Sequence, residues 1–161
     1  MAARKIIGID PGLASTGWGL LDYAGGRLGY LAHGCIETEA AQPRAERLFC
    51  IYRRINEVLD TYGPTEAAME TLYFGKNVTS AIAVAEARGV LSLALAERNL
   101  PIAEFTPHQI KQTVVGIRKA DKEQVQEMVR VILGLPVIPK PDHAADALGA
   151  AVSAAHLYRT R

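Results

Sequence analysis

Lys5–Glu37 reads KIIGIDPGLASTGWGLLDYAGGRLGYLAHGCIE, and its punctuation sets the fold class. Lys5–Asp10 is short and rich in β-branched residues. Pro11, Gly12 and Gly17 mark a turn, and Trp18–Tyr23 reads as a second strand. Gly25-Gly26 is a hairpin signal, and Arg27–Glu37 reads as a third strand. Three successive strands with tight turns predict an antiparallel meander. Downstream the period changes. Ala45–Tyr62 carries Leu48, Ile51, Tyr52, Ile55, Val58 and Leu59 at helical spacing, ended by Gly63-Pro64. Glu66–Glu70 (EAAME) and Pro101–Phe105 read as short strands on either side of an Ala-rich helix, Thr79–Arg98. Helical segments follow at Pro107–Val115 and Lys122–Leu133. Residues 136–141 (PVIPKP) interrupt the chain before a last helix, Asp142–Tyr158. The order βββαβαβααα predicts an α/β fold: a five-stranded mixed sheet, meander first and parallel strands after, with helices on both faces.

The 161 residues suit one domain, 1–161, with one core. Hydrophobic residues at 49% and charged residues at 22% are ordinary for a globular protein. No apolar run approaches the roughly 20 residues of a membrane span. The start, MAARKIIGID, has no apolar signal region, so no membrane association and a cytoplasmic location are expected. Cys35 and Cys50 form no CxxC or Cys/His cluster, and reduced thiols are expected rather than disulfides or structural zinc. The net charge of +1 argues against a protein coated in nucleic acid, but an average hides segregation. Lys111, Arg118, Lys119 and Lys122 fall close together with Asp121 the one acid among them.

Several side chains carry candidate chemistry. Asp10 ends the first strand in IGIDPG, where α/β sheets tend to hold ligands; it would equally serve to cap the turn. Glu70 ends the apolar strand EAAME. If that strand lies parallel to the first, the two carboxylates meet, as a magnesium site requires; otherwise Glu70 is a solvated strand end. The last helix opens PDHAADAL. Asp142 and Asp146, or His143 and Asp146, share one face. Asp142 follows Pro141 and suits an N-cap, and His143 suits a first-turn surface position. Asp146 sits among Ala144, Ala145, Ala147 and Leu148, and a carboxylate there faces something that needs it. Together the acids suggest two-metal phosphodiester hydrolysis. Tyr73 and Phe74 stand adjacent in the loop YFGKN and suit stacking on an unpaired base, with at least one expected to pack inward. Lys76 and Asn77 can reach phosphates from the same loop, and Asn77 would equally cap the next helix.

These residues resemble the RuvC family of Holliday junction resolvases. The resemblance rests on IGIDPGLASTGWG, METLYFGKNVTSAIAVAEARGV, QIKQTVVGIRKADKEQVQEMV and DHAADAL, in that order along nearly the whole chain. It implies an RNase H-like fold and a homodimer that cuts two strands of a four-way DNA junction symmetrically, in recombination and repair. It implies metal ligands and catalytic residues at Asp10, Glu70 and Asp146, with His143 at a fourth position where many relatives carry Asp. His143 would either ligate the metal or orient the attacking water. Two Mg2+ ions per site are expected, with Mn2+ at least as effective. The resemblance puts a base-wedging aromatic at Tyr73 and basic residues at Lys111 and Lys122 beside the scissile phosphate; Arg118 and Lys119 are extra cations. It also implies work with a branch-migration motor of the RuvA and RuvB type. Thr79–Arg98 offers Ala81, Val84, Ala85, Leu91 and Ala94 for close helix packing, part of it within the monomer. Rival functions are an actin-like ATPase, suggested by DPGLASTG but lacking length for a duplicated domain, a ribonuclease H or transposase-type nuclease, and a non-catalytic junction-binding module.

Overall fold

The computed structural model describes residues 4–71 and 78–157. Its elements are β1 (Arg4–Asp10), β2 (Ser15–Ala24), β3 (Arg27–Glu37), α1 (Arg44–Tyr62), β4 (Glu66–Glu70), α2 (Val78–Ala96), β5 (Ile102–Phe105), α3 (Pro107–Val114), α4 (Lys122–Ile132) and α5 (Asp142–Leu157). The five strands form one sheet in the order β3-β2-β1-β4-β5. The β1-β2 and β2-β3 pairs are antiparallel, and the β1-β4 and β4-β5 pairs are parallel. The β2-β3 turn uses Gly25 (φ 57°) and Gly26 (φ 82°), the left-handed pair that matches the twist of a two-residue hairpin.

Helices cover both faces of the sheet. On one, Ile7, Ile9, Ala67 and Met69 pack with Ile51, Ile55 and Leu59 of α1 and Ala87, Leu91, Ala94 and Leu95 of α2. On the other, Ile6, Leu21 and Ala68 pack with α3, α4 and α5. Side chains alternate along a strand. Asp10 therefore shares the face of Ile6 and Gly8, and Glu70 the face of Ala68. Ile9 stands beside Met69 in the parallel register. The next residue of each strand is the carboxylate, so both acids end on adjacent strands on the face that α5 covers.

Two local expectations change. Gly17 is not a turn residue: it lies inside β2, paired with Asp10. A Cβ there would stand 2.0 Å from the His143 carbonyl oxygen, so the residue is small because α5 passes over it. The turn itself is held by Thr16, whose Oγ1 donates to the Gly12 carbonyl (2.7 Å). The second change concerns α2. Its 19 residues are long and apolar enough to cross a membrane by length and composition. In this fold Ala81, Ala87, Leu91, Ala94 and Leu95 are instead buried against the protein. Ala81, Leu91 and Ala94 are thus spent inside the monomer, and the outward apolar side chains are Val78, Ile82 and Leu93. Cys35 and Cys50 are free thiols.

Candidate active site

Each candidate side chain is delivered by an element whose ends are fixed locally. Asp10 is released at the end of β1 because Pro11 cannot continue the ladder. His143 and Asp146 stand in the first turn and a half of α5, which lies directly on the sheet: a Cβ at Gly8 would meet the Ala147 carbonyl oxygen at 1.8 Å. Lys111 is carried by α3, started by a capping box of Thr106 and Gln109. Lys122 opens α4, started by a second capping box of Asp121 and Gln124.

Asp10, His143 and Asp146 converge, with ligating atoms all within 4.8 Å of one another, close enough to hold a metal ion. His143 Nδ1 lies 2.7 Å from Asp10 Oδ2. Glu70 stands outside this trio. It lines one cleft of about 200 Å³ with Asp146, Lys111, Lys122, Pro107, Ile110 and Val125. Lys122 Nζ lies 3.1 Å from Asp146 Oδ2 and 3.9 Å from Asp142 Oδ2. Asp142 is the first residue of α5 and accepts a hydrogen bond from Lys140 Nζ (2.8 Å), so it is a partner of lysines rather than a member of the trio.

The electrostatics are those of acids forced together. Burial raises the Asp10 carboxyl, His143's hydrogen bond opposes that, and the Asp146 charge adds to it. Glu70 is pushed up to about 7, by burial first and then by the charges of Asp10 and Asp146, with Lys111 and Lys122 pulling the other way. For Lys122, burial acts downward but is outweighed by the hydrogen bond and charge of Asp146 and by Asp142 and Asp10, so its ammonium is held above its usual range. Oxygen donors whose mutual repulsion raises their proton affinity, beside one imidazole, fit a divalent cation, which would relieve the repulsion that protons relieve without it.

Glu70's folded pKa of about 7 lies above the ordinary 4.5. The metal-free native state therefore binds more protons than the unfolded state between those values. Glu70's contribution is fully present below about pH 4.5 and is lost as pH rises through about 7. In chelator, the Tm difference between the Glu70→Gln variant and wild type should grow in the variant's favour from pH 5 to pH 8. A difference that stays flat would show that Glu70 has no raised pKa.

Arg118 and Lys119 are exposed between α3 and α4. Arg118 lines a second cavity, of about 330 Å³, with His108, Gln109, Gln112 and Thr113, on the side of α3 away from the carboxylates. Tyr73, Phe74, Lys76 and Asn77 lie outside the described residues. Sequence reasoning missed Arg88, whose guanidinium reaches the backbone at Glu70 (2.5 Å to its carbonyl oxygen). No local signal marks an arginine within an Ala-rich helix as a partner of a strand end.

Residues 6–156 match the family model described as crossover junction endodeoxyribonuclease RuvC. The chain belongs to the RuvC family. Its RuvC relatives include that of Treponema denticola, 50% identical over 94% of this chain and 85% of the relative, and that of Thermotoga maritima, 45% identical over 100% and 95%. Among solved structures it resembles Thermus thermophilus RuvC in complex with Holliday junction substrate, with a TM-score of 0.92 and 35% identity over 97% of this chain and 95% of that one. The expected RNase H-like sheet with helices on both faces is thus the RuvC fold.

Proposed function

We propose that this chain, one nuclease domain, is a homodimer that resolves four-way DNA junctions by paired symmetric nicks, using Asp10, Glu70, His143 and Asp146 to hold two Mg2+ ions. The convergence of Asp10, His143 and Asp146 within 4.8 Å, with Glu70 lining the adjoining cleft, carries this reading. The RuvC family name and the junction-bound relative supply the substrate class. Bound ions would supply Lewis acidity and a water of lowered pKa. The chain's own residues do the rest. Asp10 is oriented by His143, and Asp146 holds Lys122 at the cleft. Lys122 and Lys111 bring positive charge to the position where a scissile phosphate would gain negative charge. His143 favours Mn2+ at least as much as Mg2+, because imidazole is a softer donor than carboxylate.

Arg118 and Lys119 extend the basic surface for phosphate contact, and the stretch that follows Glu70 in sequence would add a stacking aromatic, Tyr73 or Phe74, and phosphate contacts from Lys76 and Asn77. The dimer would cover Val78 (64% exposed), Ile82 (47%) and Leu93 (57%) on α2, and Phe49 (64%) on α1. Two-fold symmetry then matches two opposed strands of an open junction. Cooperation with a RuvA- and RuvB-type motor, and a cytoplasmic site of action, accompany this role.

The test is cleavage of a mobile synthetic junction beside linear duplex and an RNA–DNA hybrid, in Mg2+ and in Mn2+. Symmetric nicks on the junction alone are expected in both metals. Binding without nicks in either would make the protein a junction-binding module, and cutting of the hybrid would make it a ribonuclease H.

A further inference from the structure

The end of β4 has a hydrogen-bonding deficit that the sheet cannot fill. Ala67 and Thr71 donate their amides toward β5, to Pro101 O (2.9 Å) and Phe105 O (2.8 Å). By alternation, the amides and carbonyls of Ala68 and Glu70 point toward β1. The parallel register pairs Ile7 with Ala67 and Ile9 with Met69. Continued by two residues, it sets residue 11 opposite Thr71, and the amide of residue 11 would serve the Glu70 carbonyl. Residue 11 is proline and has no N–H. The same proline that frees Asp10 from the ladder thus orphans the carbonyl of its partner acid.

Arg88 fills the gap. From the middle of α2, its Nη1 donates to the Glu70 carbonyl oxygen at 2.5 Å. Its Nη2 forms a short ion-paired hydrogen bond with Glu104 Oε1 on β5, beside Met69 in the register. The Arg88 side chain is 14% exposed, so this is a partly desolvated, charge-assisted clamp with both ends tied. It spans 18 residues along the chain and joins α2 to the last residue of β4.

We infer that Arg88 is a positioning residue: its guanidinium replaces the amide that Pro11 lacks and fixes the backbone from which Glu70 reaches the metal site. This rests on the assignment of Glu70 to that site. Arg88 would touch neither metal nor DNA, and would act by holding Glu70 where a cation can use it. Partners that orient a ligand in this way typically contribute about 10–100-fold to metal affinity or activity.

The experiment uses the full chain on a mobile four-way junction, with single-turnover cleavage measured across a Mg2+ titration. Arg88→Met keeps an unbranched aliphatic stem and removes both donors. It should raise the Mg2+ concentration for half-maximal rate by about 10-fold or more, with junction binding in chelator unchanged. Arg88→Lys, which keeps one donor head, should recover part of that shift. A wild-type Mg2+ response in Arg88→Met would overturn the inference. So would a lower rate at saturating metal with the half-saturation unmoved, because that is a purely structural effect. If Arg88→Met does not fold, Arg88→Lys and Glu104→Gln decide: each loosens one end of the clamp, and a wild-type Mg2+ response in both overturns it. Glu70→Gln run in parallel separates the two premises. If that variant cleaves normally, the assignment of Glu70 fails; if it is inactive while Arg88→Met is normal, the positioning role alone fails.

Discussion

Asp146→Asn is expected to abolish junction cleavage while leaving junction binding in place. Asp146 is in the trio with Asp10 and His143, lines the cleft with Glu70, and is the acid nearest Lys122 (3.1 Å). Asparagine has the same shape and keeps one oxygen, so the packing of α5 on the sheet is undisturbed. It removes the negative charge that pairs with Lys122 and that a divalent cation would use. Loss of a charge partner aimed at a transition state costs about 100- to 1,000-fold, and the cost rises when the same group also holds the cation. Cleavage should therefore fall at least about 100-fold in Mg2+. An electrophoretic shift of the same junction in chelator should be within the range of the wild type, because phosphate contacts, not this acid, supply affinity. Cleavage within about 10-fold of the wild type would remove Asp146 from the metal site.

Gly8→Ala should be among the most damaging single methyl additions at the described glycines. Its Cβ would sit 1.8 Å from Ala147 O and 2.9 Å from Ala151 N, both backbone atoms of α5, so no rotamer can relieve the overlap. Either α5 rises off the sheet or β1 bends. At this point the helix meets β1 through Ala147 and Ala151, both buried, so the contact is backbone on backbone. Overpacking of this kind costs about 3 kcal/mol. The same displacement would move His143 and Asp146 away from Asp10, whose contact with His143 is 2.7 Å. The expected result is a Tm lowered by several degrees, with cleavage reduced further than the unfolded fraction explains. Gly17→Ala, under the His143 carbonyl, should behave alike; Gly25→Ala should not, because nothing lies within 4 Å of that position and its cost is only the left-handed backbone. A Gly8→Ala protein with unchanged Tm would mean that α5 does not sit this close.

Much of the site was legible in the chain because it depends on local rules. The apolar runs KIIGID and EAAME place Asp10 and Glu70 at strand ends, and helical spacing puts Asp146 on one face with either Asp142 or His143. Periodicity could not choose between those two. Asp142 and Asp146 are four apart and His143 and Asp146 three apart, and both spacings satisfy a helix. The choice is made by the rotation of α5 about its axis, which is set where its backbone meets Gly8 and Gly17. That contact turns His143 toward Asp10 and leaves Asp142 to Lys140 and Lys122. Gly17 resembles a turn residue for the same reason: a glycine that admits a helix looks, in one dimension, like a glycine that bends a chain.

The sequence by itself determined the order of elements, the strand-end carboxylates, the capped helices that carry Lys111 and Lys122, and the family likeness. Only the tertiary structure decided which residues become neighbours across the sheet: His143 with Asp10, Lys122 with Asp146, Arg88 with the Glu70 carbonyl. The physical reason is range. Turns, caps and periodicity are energies between residues a few positions apart and are written in the local order of side chains. The separations between those three pairs run from 18 residues for Arg88 and Glu70 to 133 for His143 and Asp10. Such partners meet only once close packing of the two apolar clusters has fixed the helices on the sheet.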